Sequence, residues 1–181
     1  MASTERNASL HKILFIGPTG AGKTTAITAI SDTPPITTEA ANTGADKQTT
    51  KSTTTVAMDY GSIELEHDVV HLYGIPGQKR FRFMWPILAR GAFGCVVLID
   101  ESREDPLQDL DDYIKAFDDL IRRQSFVVGV VKTPKDGMAI EKYSAFFANL
   151  GMFPPIFEAD VREKADVLMM LEILLINQEI N

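Results

Sequence analysis

The sequence predicts an α/β fold: a three-layer sandwich around a mostly parallel six-stranded sheet. Short apolar runs alternate with helical stretches along the chain, and those runs are continuously apolar rather than alternating with polar residues. Continuous apolar runs are typical of strands buried on both faces, as in parallel sheets covered by helices. At 181 residues the chain is long enough for a proper core, and we expect one domain spanning 1–181.

The elements follow in a regular order along the chain. The predicted strands are 12–16, 55–60, 63–73, 95–99, 126–131 and 155–157, the second and third being joined near Gly61. The predicted helices are 23–31, 106–123, 141–150 and 162–176. The stretch 32–54 is rich in Thr, Pro, Ala and Asn. We expect it to be a long surface loop, a feature that is usually functional.

Composition excludes several classes of partner. The net charge of −7 disfavours nucleic acid and anionic lipid as bulk partners. Cys95 is the one cysteine, so no internal disulfide is possible, which fits a reducing compartment. No signal peptide, membrane-spanning run, myristoylation glycine or prenylatable cysteine is present in the sequence. We therefore expect a cytoplasmic protein without a direct lipid anchor.

A phosphate-binding loop follows the first predicted strand. The segment Gly17–Thr24 reads GPTGAGKT and matches G-x-x-x-x-G-K-[ST] at every position, directly before a predicted helix. Its glycines allow backbone N–H groups to face phosphates, while Lys23 reaches the β- and γ-phosphates and the Thr24 hydroxyl ligates Mg²⁺. The predicted nucleotide contacts here are Gly17, Thr19, Gly20, Ala21, Gly22, Lys23, Thr24 and Thr25.

A second segment indicates which class of phosphate-loop protein this is. The sequence GIPGQKRF at 74–81 is similar to the D-x-x-G-Q-x-R-F segment of small Ras-like GTPases. Over nearly the whole chain, the sequence resembles this family, the Arf-like and bacterial MglA-like members in particular. The resemblance implies a P-loop NTPase fold that binds GTP or GDP with Mg²⁺. It gives Gly77 a contact to the γ-phosphate, makes Gln78 with Lys23 the catalytic pair, and makes 80–85 a mobile switch.

The resemblance also implies a second switch and a set of partners. A threonine among Thr53, Thr54 and Thr55 closes over the γ-phosphate and Mg²⁺. Thr55 is favoured, with Thr54 next, because the apolar Val56 follows it and the strand pair there has the length seen in Arf-like proteins. An activator protein, of the Roadblock fold in MglA-like proteins, and an effector are expected at the switch loops. A role in bacterial polarity or surface motility follows from the same analogy.

Two positions depart from the family pattern. Gly74 replaces the aspartate that normally supports Mg²⁺, and either Asp59 or Asp100 is a candidate substitute. The guanine-reading motif N-K-x-D is reduced to Lys132, with Asp136 nearby. Loss of its aspartate weakens discrimination against adenine. Beyond the last strand, Asp160 and Val161 are candidates for a contact to the base.

Two alternatives stay open. The run VVLIDE at 96–101 has the form of an ATPase strand whose Asp100 carries Mg²⁺ and whose Glu101 activates water. The loss of the Mg²⁺-supporting aspartate also fits a nucleotide-binding scaffold that does not hydrolyse its ligand. The preserved Lys23, Thr24 and Gln78 favour the GTPase.

Overall fold

The computed structural model of the protein describes residues 9–37, 58–65, 68–123, 125–133 and 138–180. The strands are β1 Ser9–Ile16, β2 Ile36–Thr37, β3 Asp59–Glu64, β4 Asp68–Gly74, β5 Gly94–Asp100, β6 Phe126–Val131 and β7 Ile156–Glu158. The α-helices are α1 Lys23–Ile30, α2 Trp85–Leu88, α3 Pro106–Ala116, α4 Asp118–Arg122, α5 Ala139–Asn149 and α6 Lys164–Ile180. A 3-10 helix spans Lys79–Met84 and leads into α2.

One sheet contains all of the described strands. Their order is β2-β3-β4-β1-β5-β6-β7. The five strands from β4 to β7 in that order are parallel, whereas β2, β3 and β4 pair antiparallel. The predicted mostly parallel sheet is therefore confirmed, and the two-residue β2 adds a short edge strand to the six predicted ones.

Two apolar clusters lie on opposite faces of the sheet and give the three predicted layers. Successive side chains of a strand point to opposite faces, so β1 contributes Leu14 to one cluster and Phe15 to the other. The first cluster joins the sheet to α3, α4 and α5 through residues such as Leu110, Leu120 and Tyr143. The second joins it to α1 and α6 through residues such as Ile27, Met170 and Leu171.

Three local predictions were wrong. The chain does not turn at Gly61, which lies inside β3 opposite Leu72. A side chain there would meet the Ser31 hydroxyl at 2.0 Å, so the glycine serves close packing against α1. The predicted helix 106–123 is broken at Phe117, which is buried and stacks on Trp85 at 5.6 Å. The predicted loop 32–54 contains β2.

The carboxyl ends of the parallel strands meet at one edge of the sheet. The segments after β1, β4, β5, β6 and β7 therefore converge there, as in other open α/β sheets that bind ligands at this edge. Cys95 lies in the core within β5, and burial raises the pKa of its thiol to about 12. Within the described ranges, no helix has the length and apolar character needed to cross a membrane.

Candidate nucleotide-binding site

The phosphate loop connects β1 to α1 with the backbone geometry that its glycines allow. Gly20 and Gly22 have φ values of +85° and +89°, in the left-handed region that favours glycine. No side chain caps α1, and its first turn holds no acidic residue. The free N–H groups and the positive end of the helix dipole are therefore available to an anion.

Lys23 is buried at the centre of this loop. Its ammonium donates hydrogen bonds to the carbonyls of Gly17 and Pro18, each at 2.7 Å. Burial lowers its pKa to about 8, an effect that the negative charge of Asp59 opposes and the positive charge of Arg103 increases. The Lys23 ammonium and the free N–H groups therefore place positive charge at one loop, an arrangement that can bind phosphate.

Asp59 lies beside Gly74, the position at which the resemblance leads one to expect an aspartate. It is the first residue of β3 and pairs directly with Gly74, the last residue of β4. Its carboxylate accepts a hydrogen bond of 2.5 Å from the Thr24 hydroxyl. A side chain at Gly74 would meet the Asp59 carboxylate at 3.0 Å and Ile27 at 3.2 Å. The absence of a side chain at position 74 thus makes room for Asp59.

The segment after β4 touches the phosphate loop. A side chain at Gly77 would meet the Gly17 carbonyl at 2.5 Å and the Thr19 nitrogen at 2.6 Å, so only glycine permits this approach. The Gly77 carbonyl accepts a hydrogen bond of 3.1 Å from the Tyr113 hydroxyl on α3. Gln78 is exposed and shares with Thr19 a cavity of about 330 Å³.

The aromatic residues of the predicted switch are divided between core and surface. Phe81 and Trp85 are buried, and the Trp85 indole donates to the Pro76 carbonyl at 2.9 Å. Phe83 and Ile87 are 69% and 59% exposed. Phe81 and Trp85 therefore anchor the switch segment in the core. Phe83, which lies between them, and Ile87, which follows them, present apolar side chains to solvent.

A larger cavity of about 770 Å³ opens on the other side of the phosphate loop. It is lined by the loop itself, by the segment after β6 and by the segment after β7. Seven of the predicted contacts line it, among them Gly20, Ala21, Gly22, Thr25 and Lys132. Its size and position suit a nucleoside base attached to phosphates on the loop.

Lys132 fixes one wall of this cavity. Its ammonium donates to the Gly20 carbonyl at 2.9 Å and to the Asp100 carboxylate at 2.7 Å. Among the described residues that are not glycine, Lys132 has the one positive φ, +56°. Such backbone strain is found where surrounding contacts hold a residue in place, often at functional sites.

Asp160 and Val161, the candidates for a contact to the base, also line the cavity. The Asp160 carboxylate pairs with Arg162, and these hydrogen bonds lower its pKa to about 2. The Asp160 backbone N–H donates to the Asp166 carboxylate at 2.9 Å, so that donor is already used. Arg162, which follows these two residues in the same motif, lines the cavity as well. Sequence reasoning did not select two further polar residues of the cavity, Thr133 and Glu158. Their signal was their position at the carboxyl ends of β6 and β7.

The two carboxylates of the ATPase alternative are engaged elsewhere. Asp100 is buried; burial raises its pKa, but hydrogen bonds from Lys132 and Ser102 outweigh that effect and lower it. Glu101 pairs with Lys142 at 2.8 Å and accepts a hydrogen bond from Tyr143. Of the two candidates to replace the missing aspartate, the structure brings Asp59 and not Asp100 to the Thr24 hydroxyl.

Some predicted contacts cannot be placed. Thr53, Thr54, Thr55 and Asp136 lie outside the described residues. In the part of the chain that the structure describes, no three His, Cys, Asp or Glu side chains cluster as a metal site. Magnesium at phosphate sites is typically bound by one or two protein oxygens together with phosphate and water.

Comparison with known proteins supports a nucleotide site. Residues 35–152, well over half of the chain, match the family described as conserved hypothetical ATP binding proteins. The chain belongs to this family. An uncharacterised protein of Methanocaldococcus jannaschii is 34% identical over 92 residues, 51% of this chain and 52% of its own length. The Ras-related protein Rab-18-B of Danio rerio is 27% identical over 133 residues, 72% of this chain and 60% of its own length.

The family match, the Rab similarity and the complete phosphate loop agree on a coarse conclusion. The chain is a nucleotide-binding P-loop protein of a GTPase-like kind. It spans only about half to three fifths of the length of these curated relatives. The family description names ATP, whereas the name of the Danio rerio relative places it with Ras-related proteins.

Proposed function

We propose that the chain is a GTP-binding molecular switch that hydrolyses GTP to GDP with Mg²⁺. The observation that supports it best is the convergence of Lys23, the Thr24–Asp59 pair and Gly77 at one phosphate loop. These groups come from three segments of the chain. Lys23 would contact the β- and γ-phosphates, the Thr24–Asp59 pair would hold Mg²⁺, and the Gly77 N–H would contact the γ-phosphate. Gln78, exposed in the adjoining cavity, would orient the attacking water.

The residues present fit a magnesium ion. The Thr24 hydroxyl and the Asp59 carboxylate are hard oxygen donors in contact with each other, and Asp59 reaches Thr24 from the start of β3. Thr24 would be a direct ligand and Asp59 would support the ion in place of the absent aspartate at position 74. Bound Mg²⁺ would neutralise charge on the β- and γ-phosphates.

The nucleotide state would be read at the surface formed by the segment 77–88. Gly77 touches the phosphate loop and is followed closely by the 3-10 helix, which exposes Phe83. The next helix, α2, exposes Ile87. A change at the γ-phosphate would therefore move apolar side chains that a partner can bind. We propose that an effector and an activator of the Roadblock fold bind here; a role in bacterial polarity or motility is part of the same proposal.

A binding competition tests the base and the metal together. GTP, GDP, ATP and ADP are titrated against a fluorescent nucleotide, with Mg²⁺ and then with EDTA, using the wild type and Asp59→Asn. We expect guanine nucleotides to bind at least about tenfold tighter, a difference of about 1.4 kcal/mol. We also expect Mg²⁺ to strengthen GTP binding in the wild type and much less in Asp59→Asn.

The matched control is Asp32→Asn. Asp32 is an exposed aspartate whose carboxylate, like that of Asp59, accepts a hydrogen bond; the donor is the Glu64 nitrogen of β3, at 2.6 Å. It should keep the full effect of Mg²⁺. An equal effect of Mg²⁺ in wild type and Asp59→Asn would contradict the role given to Asp59.

The second candidate is an ATPase built on the same site. The family description favours it, as does the reduction of the guanine-reading motif to Lys132. Because Asp100 and Glu101 are held by other side chains, this ATPase would also use Asp59 at the metal. Tighter binding of ATP than of GTP in the same competition would replace the first candidate with this one.

A further inference from the structure

The smaller cavity, of about 330 Å³, lies beside the phosphate loop and away from the base cavity. Pro18 and Thr19 of the loop form one wall, and Gly77 and Gln78 form another. Arg103 and Asp109 complete it from the far side. The cavity therefore joins the phosphate loop, the proposed water-orienting glutamine and Arg103, which belongs to none of the sequence motifs.

Arg103 reaches this cavity from the turn between β5 and α3. Its backbone N–H donates to the Asp100 carbonyl at 3.2 Å, which fixes the turn. Its side chain forms an ion pair with Asp109 on the first turns of α3 and stays 40% exposed. Asp109 is its one ion-pair partner among the residues that the structure describes. A guanidinium has five N–H donors, and this pair engages it through Nε.

The charged side chains that line this cavity leave it net positive: Lys79, Arg82 and Arg103 line it together with Asp109 and Asp112. Lys79 and Arg82 share the Asp112 carboxylate, and Arg82 lies over the Trp85 ring at 5.7 Å. Arg103 shares the cavity with Pro18 and Thr19, and the Lys23 ammonium bonds to the Gly17 and Pro18 carbonyls. A phosphate in the cavity would therefore meet the Arg103 guanidinium beside the loop that holds Lys23.

We propose that Arg103 binds the terminal phosphate of the nucleoside triphosphate and stabilises the charge that develops there during hydrolysis. This inference rests on the proposed function of the site. In the reaction, the water oxygen bonds to the γ-phosphorus as the bond to the bridging β–γ oxygen breaks. The nucleoside diphosphate leaves, and the water protons pass to the released phosphate and solvent. Arg103 would supply this positive charge from the same chain, whereas in other switch proteins a partner protein inserts the arginine.

Asp109 has the opposite effect in this proposal. Its carboxylate holds Arg103 in the absence of ligand and competes with the phosphate for the same guanidinium. The two members of one ion pair should then give opposite results when each is neutralised. An ion pair that merely stabilised the fold would give the same result from either side.

The experiment measures single-turnover hydrolysis of GTP and of ATP, and affinity for their β,γ-imido analogues and for GDP and ADP. We expect Arg103→Ala to slow hydrolysis by at least about tenfold. An arginine that stabilises the transition-state charge accelerates phosphoryl transfer by about 10³–10⁵-fold in switch proteins. It should weaken the triphosphate analogue and leave the diphosphate within about twofold. Asp109→Asn should speed hydrolysis or tighten the triphosphate analogue. Arg103→Lys, which keeps the charge, should recover part of the rate.

Arg122→Ala is the matched control, because Arg122 forms an exposed pair with Asp118 at 2.6 Å away from either cavity. It should hydrolyse at the wild-type rate. Thermal melting of each variant separates loss of fold from loss of charge, and Arg103→Lys keeps the test valid if Arg103→Ala unfolds. Wild-type rates in Arg103→Ala, or equal losses in Arg103→Ala and Asp109→Asn, would overturn this inference alone. A wild type that binds no nucleotide would overturn it together with the proposed function.

Discussion

At the phosphate end of the site, one contiguous loop supplies the backbone amides, Lys23 and Thr24. At the base end, the cavity wall is assembled from the loop, from Lys132 after β6 and from the residues after β7. Phosphate is recognised by charge and by N–H groups that any sequence with the right glycines can present. A base is recognised by particular side chains held at particular places. A short motif therefore specifies the first end, and the tertiary structure must assemble the second.

The largest expected effect is loss of the phosphate end as a whole. Lys23→Ala removes a buried ammonium, and we expect nucleotide affinity to fall at least about a hundredfold, because charge-assisted hydrogen bonds are the strong ones. The loss of affinity should be equal for guanine and adenine nucleotides, because Lys23 is not among the residues that line the cavity of about 770 Å³ proposed for the base. Lys115→Ala, at an exposed lysine paired with Asp111 at 2.5 Å, is the control. Unchanged binding in Lys23→Ala would refute the phosphate-loop assignment; equilibrium titration decides it.

The exchange between positions 59 and 74 comes next. Gly74→Asp alone should destabilise the protein, because its side chain meets Asp59 within 3.1 Å and adds a second negative charge. Asp59→Gly alone should lose most of the effect of Mg²⁺ on triphosphate affinity. The double variant Asp59→Gly/Gly74→Asp should regain part of it, since the carboxylate returns to the same place from the neighbouring strand.

Magnesium titrations and thermal melts of the four proteins form a double-mutant cycle. The coupling free energy between positions 59 and 74 should be favourable both for the effect of Mg²⁺ on triphosphate affinity and for thermal stability. Additive losses would mean that the carboxylate does not act at a shared place, and the proposed role of Asp59 would then fail.

A smaller effect is expected at the base end. Lys132→Ala and Lys132→Gly both remove the bonds to Gly20 and Asp100, and each should weaken nucleotides of either base by about tenfold. Glycine relieves the positive φ, whereas alanine keeps it. Lys132→Gly should therefore be more stable than Lys132→Ala by about 1 kcal/mol in denaturant unfolding. Equal stabilities would show that the backbone here relaxes without cost.

The smallest effect concerns the anchor of Gly77. Tyr113→Phe removes one hydrogen bond to the Gly77 carbonyl, so we expect a loss of about 0.5–1.5 kcal/mol in the free energy of unfolding. Triphosphate affinity should change by less than about threefold and the base preference not at all. Tyr143→Phe is the comparison, because its hydroxyl bonds to Glu101 and not to the phosphate end. A changed base preference in Tyr113→Phe would mean that the two ends are coupled.

Sequence reasoning predicted the sheet well because a buried strand has a signal of its own. The runs in β1, β5 and β6 are continuously apolar, and each lies at the centre of the sheet. It failed at Gly61 and at Phe117, where packing against α1 and against Trp85 decides the local geometry. Neither contact is encoded in the spacing of nearby residues.

The sequence by itself determined the phosphate loop, because loop, helix start, Lys23 and Thr24 are neighbours along the chain and their spacing fixes their geometry. Only the tertiary structure decided that Asp59, and not Asp100, meets Thr24. It also decided that Arg103 shares a cavity with Gln78, and that Glu158 and Arg162 line the base cavity. The physical reason is distance along the chain: these contacts join different strand ends and loops, and their proximity depends on strand order and register.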